Sequence, residues 1–344
     1  MADRWLLIET FGGEGHEEPT VIAVGRTPKR MVPLDTVLGR GRYLDDIRAL
    51  VSRVASSGEP VRATSRDGRR QMIGDPLITF TGQVHGVYAW MGDPGEAPPP
   101  RDPAGAWHFN LVTDKIGGSE DLLDLYGVAP EDRQTERVTA EAFGRLITNA
   151  DEAAALAVIV RSRPGDEHQA TWTVQRDDGQ LRAANFAARA VPEIGETGQS
   201  EVVIRGITHD IGAADDTPSA PPRMVLAQQV IAAEKEPGRH RAIVNHRKLT
   251  LLRWVDDPMP GVAWENNGQH QPAIHPDDLP AAKQMSAGLA TSSRVEGVLR
   301  VRSVTGDWMP VAVSANLMLL DQHTTAALVT VSDPNDTPGA DGSH

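Results

Sequence analysis

The eleven histidines are the residues best able to do chemistry in this 344-residue chain, because the sequence contains no cysteine. A chain without cysteine has no disulfide, no thiolate metal ligand and no covalently attached flavin or bilin. Imidazole could still bind zinc or haem iron, but such sites need further ligands at matched spacing. The pairs His240 with His246 and His270 with His275 lack carboxylates at helical offsets. We therefore predict no metal site and no cofactor.

Two glycine-containing stretches match known loops only in part. Residues 39–42 read Gly-Arg-Gly-Arg, without the preceding strand and the further glycine of a dinucleotide-binding turn. Residues 117–120 read Gly-Gly-Ser-Glu, which fits a turn in which Ser119 caps the next helix. The Gly-x-Ser-x-Gly pattern of serine hydrolases is absent. These patterns favour a binding protein over an enzyme. An enzyme whose catalytic residues are dispersed along the chain is a further alternative.

Charge and composition narrow the class of partner and the compartment. The chain has 34 Lys and Arg against 47 Asp and Glu, a net charge of −13, which disfavours nucleic acid and anionic membranes as partners. Its first eight residues include Asp3 and Arg4 and no long apolar run, so we expect neither a signal peptide nor a membrane-spanning helix. A disulfide-free acidic chain fits the cytoplasm.

Two proline-rich stretches divide the chain. Residues 96–104 contain four prolines, and residues 215–222 are rich in Pro, Asp, Ser and Thr. Neither stretch can enter a sheet interior or bury a core, so both are predicted linkers. We predict three domains, at residues 1–96, 105–214 and 223–334, followed by a disordered tail at 335–344.

Apolar periodicity within these ranges predicts short strands and a few helices. The first domain has predicted strands at 5–9, 20–24, 61–65, 72–81 and 86–91 and a helix at 43–55. The middle domain has strands at 107–113, 157–162, 170–175, 181–191 and 201–211 and helices at 119–126, 139–147 and 151–156. The third has strands at 249–255, 295–302, 311–320 and 325–331 and a helix at 279–289. The predicted fold class is α+β, with three tandem domains that each hold a central antiparallel sheet flanked by helices.

The third domain resembles the second half of a PAS domain. The resemblance rests on the His-Pro-Asp-Asp helix start at 275–278, the Arg-Val-Arg strand at 300–302, the Gly-Asp-Trp hairpin at 306–308 and the closing strand at 329–333. The first domain repeats one spacing, since Asp67 precedes Asp93 by the 26 residues that separate Asp307 from Asp333. We interpret this as an internal repeat.

The middle domain resembles PAS domains at its two ends. Trp107 to Asn110 and the helix from Ser119 match a PAS start, and residues 205–211 match a PAS ending. The equivalent spacing, from Asp178 to Asp210, is 32 residues, so a related GAF domain stays an open alternative for this domain.

The whole chain resembles an actinobacterial, mycobacterial-type group of tandem PAS-GAF-PAS proteins. This resemblance implies a sensory or signalling protein without catalysis or an output domain of its own, which binds a small ligand, a signalling protein or both. A ligand-free scaffold for protein interactions is the alternative.

A ligand pocket is expected on the sheet of the third domain, because alternate strand positions face one side. Its candidate lining residues are Leu251, Trp254, Trp264, Val301, Val313 and Leu328. Among histidines within the resembling segments, we expect His275 to cap a helix start, His209 to be solvated and His108 to face away from Trp107.

Residues 223–236 have the apolar spacing of a helix, with Met224, Ala227, Val230 and Ile231 on one stripe. The stripe could pack on the third domain, or it could join two copies of the chain. Four buried residues would support only a weak homodimer.

Overall fold

A computed structural model describes residues 4–12, 18–147, 152–195, 198–217, 235–266 and 270–335. The chain forms two compact units. One comprises Met1–Glu136, Leu146–Thr148 and Ser162–Arg223, and the other comprises Arg137–Arg145, Asn149–Arg161 and Met224–His344. The predicted helix at 223–236 lies almost entirely outside the described residues, and so does the predicted tail.

The first sheet has six strands and two helices. They are β1 (Leu6–Glu9), β2 (Thr20–Val24), β3 (Thr27–Pro33), α1 (Leu34–Leu38), α2 (Leu44–Ser57), β4 (Val61–Thr64), β5 (Gln71–Ile78) and β6 (Val84–Gly92), with strand order β3-β2-β1-β6-β5-β4. Helix α2 places Leu44, Ile47, Leu50, Val51 and Val54 on one buried stripe. It ends at Gly58, which takes the left-handed conformation at φ 67°.

The middle sheet has seven strands. They are β7 (Ala104–Asn110), β8 (Lys115–Gly118), β9 (Glu136–Val138), β10 (Leu146–Ile147), β11 (Glu167–Gln175), β12 (Leu181–Ile194) and β13 (Ser200–Ala213), in the order β10-β11-β12-β13-β7-β8-β9. Helix α3 (Glu120–Tyr126) starts at Ser119, whose hydroxyl accepts a hydrogen bond from the Leu122 amide. The predicted cap is therefore confirmed.

The third sheet has five strands, with α4 (Thr139–Gly144), α5 (Glu152–Arg161) and α6 (Leu279–Gly288) in the same unit. The strands are β14 (Arg239–Asn245), β15 (Thr250–Trp254), β16 (Val295–Arg302), β17 (Trp308–Leu319) and β18 (Thr325–Ser332), in the order β15-β14-β18-β17-β16.

All three sheets share one connectivity. In each, the opening strand lies beside the closing strand at the centre, the second strand pairs with the opening strand, and the last three strands form a meander. The paired strands whose registers the structure defines run antiparallel, so turns and short helices can join them. The predicted α+β class, with three antiparallel sheets flanked by helices, is confirmed.

Two predicted elements between the middle strands are wrong. Residues 157–162 were expected to form a strand, but they continue α5 to Arg161, since its alanine-rich sequence favours a helix. The predicted helix at 139–147 ends at Gly144, and β10 follows. Helices α4 and α5 belong to the unit that holds the third sheet, although their sequence lies between strands of the middle sheet.

The first and middle sheets pack face to face inside their shared unit. Their apolar contact includes Leu7, Ile22 and Trp90 from the first sheet and Ala106 and Ile207 from the middle sheet, all almost fully buried. A Cβ atom added at Gly86 would lie 2.5 Å from Ile207 Cδ1. The two sheets are therefore in close contact.

The proline-rich stretch at 96–104 is attached to the first sheet. The Trp5 indole donates a 2.7 Å hydrogen bond to the Pro99 carbonyl, and the Tyr88 hydroxyl donates to the Asp102 carbonyl. The Arg101 guanidinium lies over both rings, 5.9 Å from the Trp5 centroid and 5.3 Å from the Tyr88 centroid. This stretch is irregular, as predicted, but it is held in place. The predicted domain boundaries stay predictions.

Among the residues that the structure describes, no helix is long and apolar enough to cross a membrane.

Gly105 is expected to be a position where a methyl group destabilises the fold. A Cβ atom there would lie 2.3 Å from Leu122 Cα, and helix backbone cannot yield as a side chain can. We expect Gly105→Ala to lower the free energy of unfolding by about 1–3 kcal/mol in a urea titration. Gly41→Ala is the control, because its nearest contact would be 3.9 Å away. Equal effects of the two substitutions would contradict this packing.

Candidate functional site

The candidate site is one face of the third sheet, which we call the helix-side face. Residues directly opposite one another in antiparallel strands share a face, and the registers join Ala242, Val329, Ala315 and Val295 in one row. Leu289, at the end of α6, packs on this row. Small residues let α6 approach closely, since a Cβ atom at Gly297 would lie 3.0 Å from Met285 Sδ.

The structure brings four of the six predicted lining residues to the helix-side face. Leu251 pairs with Val244 on β14, and Trp254 pairs with Ala242 on the same strand. Val301 is an even number of residues from Val295 on β16, and Val313 is two residues from Ala315 on β17, so both share the face of that row. Leu328 pairs with Ile243 and Asn316 and so lies on the opposite face. Trp264 follows β15, beside the bridge between Val262 and Ser303. A pocket lined by these residues stays a prediction.

The described residues cover the helix-side face only partly, in contrast to the matching face of the first sheet. There α2 lies over β5 and β6, and Leu50 and Val54 are so close to Gly74 that a Cβ atom would meet Val54 at 2.7 Å. The strand residues beneath are all buried: Leu6, Ile8, Met72, Val87, Ala89 and Met91. In the third sheet, α6 buries one residue of its own, Ala282, and Val301, Val313 and Val329 are only half-buried.

Three helices contact the third sheet. Helix α4 contacts the edge strand β15, α6 contacts the other edge strand β16, and α5 contacts the central strand β18. On the helix-side face the central strands carry small or β-branched residues, namely Ala242, Val313, Ala315, Ala327 and Val329. These residues form an apolar strip beside α6, which we call the trough.

The start of α6 is tied to β16 by an ion pair. Asp278 accepts two hydrogen bonds from the Arg300 guanidinium, at 2.9 and 2.7 Å, and one from the Arg300 backbone N–H at 2.8 Å. These hydrogen bonds lower the pKa of Asp278 to about 2. The predicted cap is also present, because His275 Nδ1 accepts a hydrogen bond from the Asp277 amide.

The hairpin between β16 and β17 adds an aromatic contact to this attachment. The Arg302 guanidinium lies 3.8 Å from the centroid of the Trp308 ring, and the His275 ring meets Trp308 edge-on at 4.7 Å. The motif residues that carry the PAS resemblance therefore form one contact, which attaches the start of α6 to the sheet.

The far end of α6 is tied to the sheet through His246. Its Nδ1 lies 3.2 Å from Ser286 Oγ, and its Nε2 lies 3.3 Å from Thr325 Oγ1. The Ser286 hydroxyl donates to the His246 carbonyl at 2.7 Å, so we assign the ring proton to Nδ1 and the acceptor role to Nε2. Burial, with Arg247 as a smaller cause, lowers the pKa of His246.

The polar side chains at the two ends of α6 are engaged in hydrogen bonds that hold the helix on the sheet. Ser286 is not poised as a nucleophile, because its proton points to a carbonyl rather than to the imidazole. Within the described part of the chain, no group of three or more His, Cys, Asp or Glu side chains could hold a metal ion. The helix-side face offers apolar surface between two anchored helix ends.

The prediction for His209 was wrong, and a polar cluster between the first and middle sheets was not predicted. His209 was expected to be solvated, but it is 2% exposed, because β13 is a central strand of the middle sheet and this side faces the first sheet. His108 does lie on the side opposite Trp107, where it meets Glu193 at 3.2 Å. The cluster between the sheets includes His85 and Arg205, which are distant in sequence, so no local pattern marked it.

The attachment of α6 gives a direct prediction. Replacing Asp278 with Asn removes the charge that Arg300 neutralises, so we expect a lower melting temperature at pH 7. The carboxyl has a lowered pKa, so its stabilising effect is present above pH 3.8 and is lost as the pH falls toward 2. Glu296→Gln is the control, because this exposed carboxylate meets only Arg294. A smaller loss for Asp278→Asn than for the control would contradict the role of the ion pair.

Comparison with known proteins places the chain in a family with three domains. Profiles for the N-terminal, middle and C-terminal domains of the Rv3651-like family match residues 4–100, 103–210 and 224–341 in that order. No curated protein matches the chain.

Solved structures include one relative that matches over nearly the full length. An uncharacterised protein from Mycobacterium tuberculosis is 29% identical, with a TM-score of 0.83 and 97% of each chain covered. A sensory box histidine kinase/response regulator from Burkholderia thailandensis is 20% identical over 32% of this chain and 79% of its own, with a TM-score of 0.24. A diguanylate cyclase N-terminal domain with a PAS/PAC sensor, from Marinobacter aquaeolei, is 18% identical over 32% and 95%, with a TM-score of 0.26. Matched in order by all three domain profiles, the chain belongs to the Rv3651-like family.

Proposed function

We propose that this chain is a non-catalytic sensory or signalling protein built of PAS- and GAF-type domains, and that it binds a small ligand on the helix-side face of its third sheet. The observation that carries the proposal is that the residues within the described ranges cover that face incompletely. Val301, Val313 and Val329 remain half-buried there, whereas the matching face of the first sheet is closed by α2. Apolar surface with partial cover is the usual setting of a small-molecule site.

The attachment of α6 at both ends supports a signalling role. A ligand in the trough would meet α6 between Asp278 and Ser286, the residues that tie it to the sheet. A shift of the helix would change those contacts, and a partner protein could detect the difference. We propose a cytoplasmic signalling protein as that partner, and not nucleic acid, given the net charge of −13.

A ligand-free scaffold is the second candidate, and the first sheet favours it. Its helix-covered face is filled by buried side chains, among them Leu34, Leu50 and Met72, which leave no apolar surface for a ligand. If the third sheet behaves in the same way in solution, the sheets serve protein contacts alone.

Native mass spectrometry of the full chain tests ligand binding. We expect a bound small molecule in the purified protein, and we expect Val313→Trp to remove it by filling the trough while the protein stays folded. Val298→Trp is the control, because Val298 is 59% exposed and lies on the opposite face, one strand away. No added mass in the wild-type protein would favour the scaffold. Retention of the ligand by Val313→Trp would remove the helix-side face as its site.

Self-association through residues 223–236 is proposed from the sequence alone. We expect weak dimers in light scattering, since a stripe of four apolar residues buries little area. Replacing Val230 and Ile231 with Glu should reduce the average mass and leave the melting temperature unchanged. A sharp fall in melting temperature without a change in mass would instead place the stripe in a domain core.

A further inference from the structure

The contact between the first and middle sheets includes a histidine, His85, that is fully buried. His85 is the second residue of β6, and its ring meets Phe11 edge-on at 6.0 Å and lies 6.5 Å from the His108 ring. Neither of its ring nitrogens makes a hydrogen bond of good geometry with the described residues. The Gly206 backbone lies near the ring and favours its charged form, but this effect is smaller than the opposing effect of burial. His85 is therefore held neutral.

Arg205 and His108, which lie near His85, share the carboxylate of Glu193. Glu193 on β12 accepts hydrogen bonds from the Arg205 guanidinium at 2.8 and 2.6 Å, and His108 Nε2 lies 3.2 Å from its other oxygen. Arg205 also donates to the Phe11 carbonyl at 2.9 Å, which ties the middle sheet to the first. At neutral pH, Arg205 and Glu193 balance. Protonated His85 would add a cation beside Arg205. The further carboxylate on this face, Glu201, lies opposite Glu193 on β13 and accepts a hydrogen bond from the Asn110 amide.

The next charged residue along the contact, Arg189, is already paired with two carboxylates. Arg189 lies 3.5 Å from Glu9 and 2.7 Å from Glu167. Glu9 also accepts hydrogen bonds from the Phe11 backbone and from the Thr20 hydroxyl. These carboxylates are engaged, so they do not offset new positive charge at His85.

We propose that this contact is acid-sensitive, and that protonation of His85 loosens the first sheet from the middle sheet. The proposal rests on the charge count and on the burial of His85 between the sheets, and it is independent of any ligand on the third sheet.

The pH range follows from the sign of the shift. Burial, and then Arg205, lower the pKa of His85 from 6.5 to about 3. A histidine with a lowered pKa stabilises fully above its unfolded value, and that stability is lost as the pH falls from 6.5 toward 3. Glu193 stays charged over this range, because hydrogen bonds from His108 and Arg205 outweigh its burial and hold its pKa at about 2.

His209 supplies the matched control, since it is a second buried histidine in the middle sheet. Burial lowers its pKa to about 4, but the charged groups that act on it are Asp102, Asp210 and Arg26. Burial outweighs the two carboxylates among these groups, so the stability that neutral His209 contributes is also lost as the pH falls toward 4. We expect the effect of His209 to be centred on β13 near Asp102, and the effect of His85 on β1 and β6.

Hydrogen exchange of the full chain at pH 7.5 and pH 5.0, corrected for the intrinsic pH dependence of exchange, tests the proposal. We expect the opening equilibrium of β1, β6 and β13 to increase on the order of tenfold at pH 5.0. The third sheet should change less, because its His246 is only partly buried. An equal increase in the third sheet, or no increase in β1 and β6, would overturn the proposal.

Three variants assign the effect to its residues. His85→Phe keeps a ring between Phe11 and His108 and should abolish the pH response of β1 and β6, whereas His209→Asn should retain the response of these two strands. Glu193→Gln removes the balancing carboxylate and should produce the acid behaviour at pH 7.5, which provides a test even if His85→Phe fails to fold. An undiminished response in His85→Phe, or wild-type exchange at pH 7.5 in Glu193→Gln, would show that the proposed charge balance is wrong.

Discussion

Each β-sheet of this protein has two apolar faces, and the need to cover both determines much of its architecture. The first sheet meets that need with α2 on one face and the middle sheet on the other, where Gly86 lets the strands approach Ile207. The third sheet meets it less completely, because α6 is short and buries only Ala282 from within the helix. Partial cover of one sheet in a chain with otherwise well-filled layers is what distinguishes the candidate site.

The sequence predicted elements well wherever a local pattern determines them. The stripe of α2 and the alternation in β16 are visible as spacing, and the turns at Gly68 and Gly306 are marked by residues that accept positive φ. Local patterns do not set strand register, which depends on pairing with distant strands. Leu328 therefore lies on the face opposite the one assigned to it, although its strand was predicted correctly.

Long-range partners account for the other differences. Helices α4 and α5 follow β8 in sequence, yet they belong to the unit of the third sheet, where Glu152 pairs with Arg253 at 2.5 Å. His209 was expected to be a solvated strand residue, but β13 lies between β12 and β7 and the side chain is buried. The polar contact that joins Arg205 to Phe11 spans 194 residues, and only the assembled sheets bring them together.

The stretch from Pro99 to Asp102 has a consequence for how this protein can be dissected. A fragment that stops before Pro99 would leave the Trp5 indole and the Tyr88 hydroxyl without their acceptors and would remove Arg101 from between the two rings. A fragment that extends to Asp102 ends two residues before β7, the strand that carries Ala104 and Ala106 into the shared core. The first sheet therefore has no clean point of excision, and it is best regarded as half of a two-sheet body rather than as a separable module.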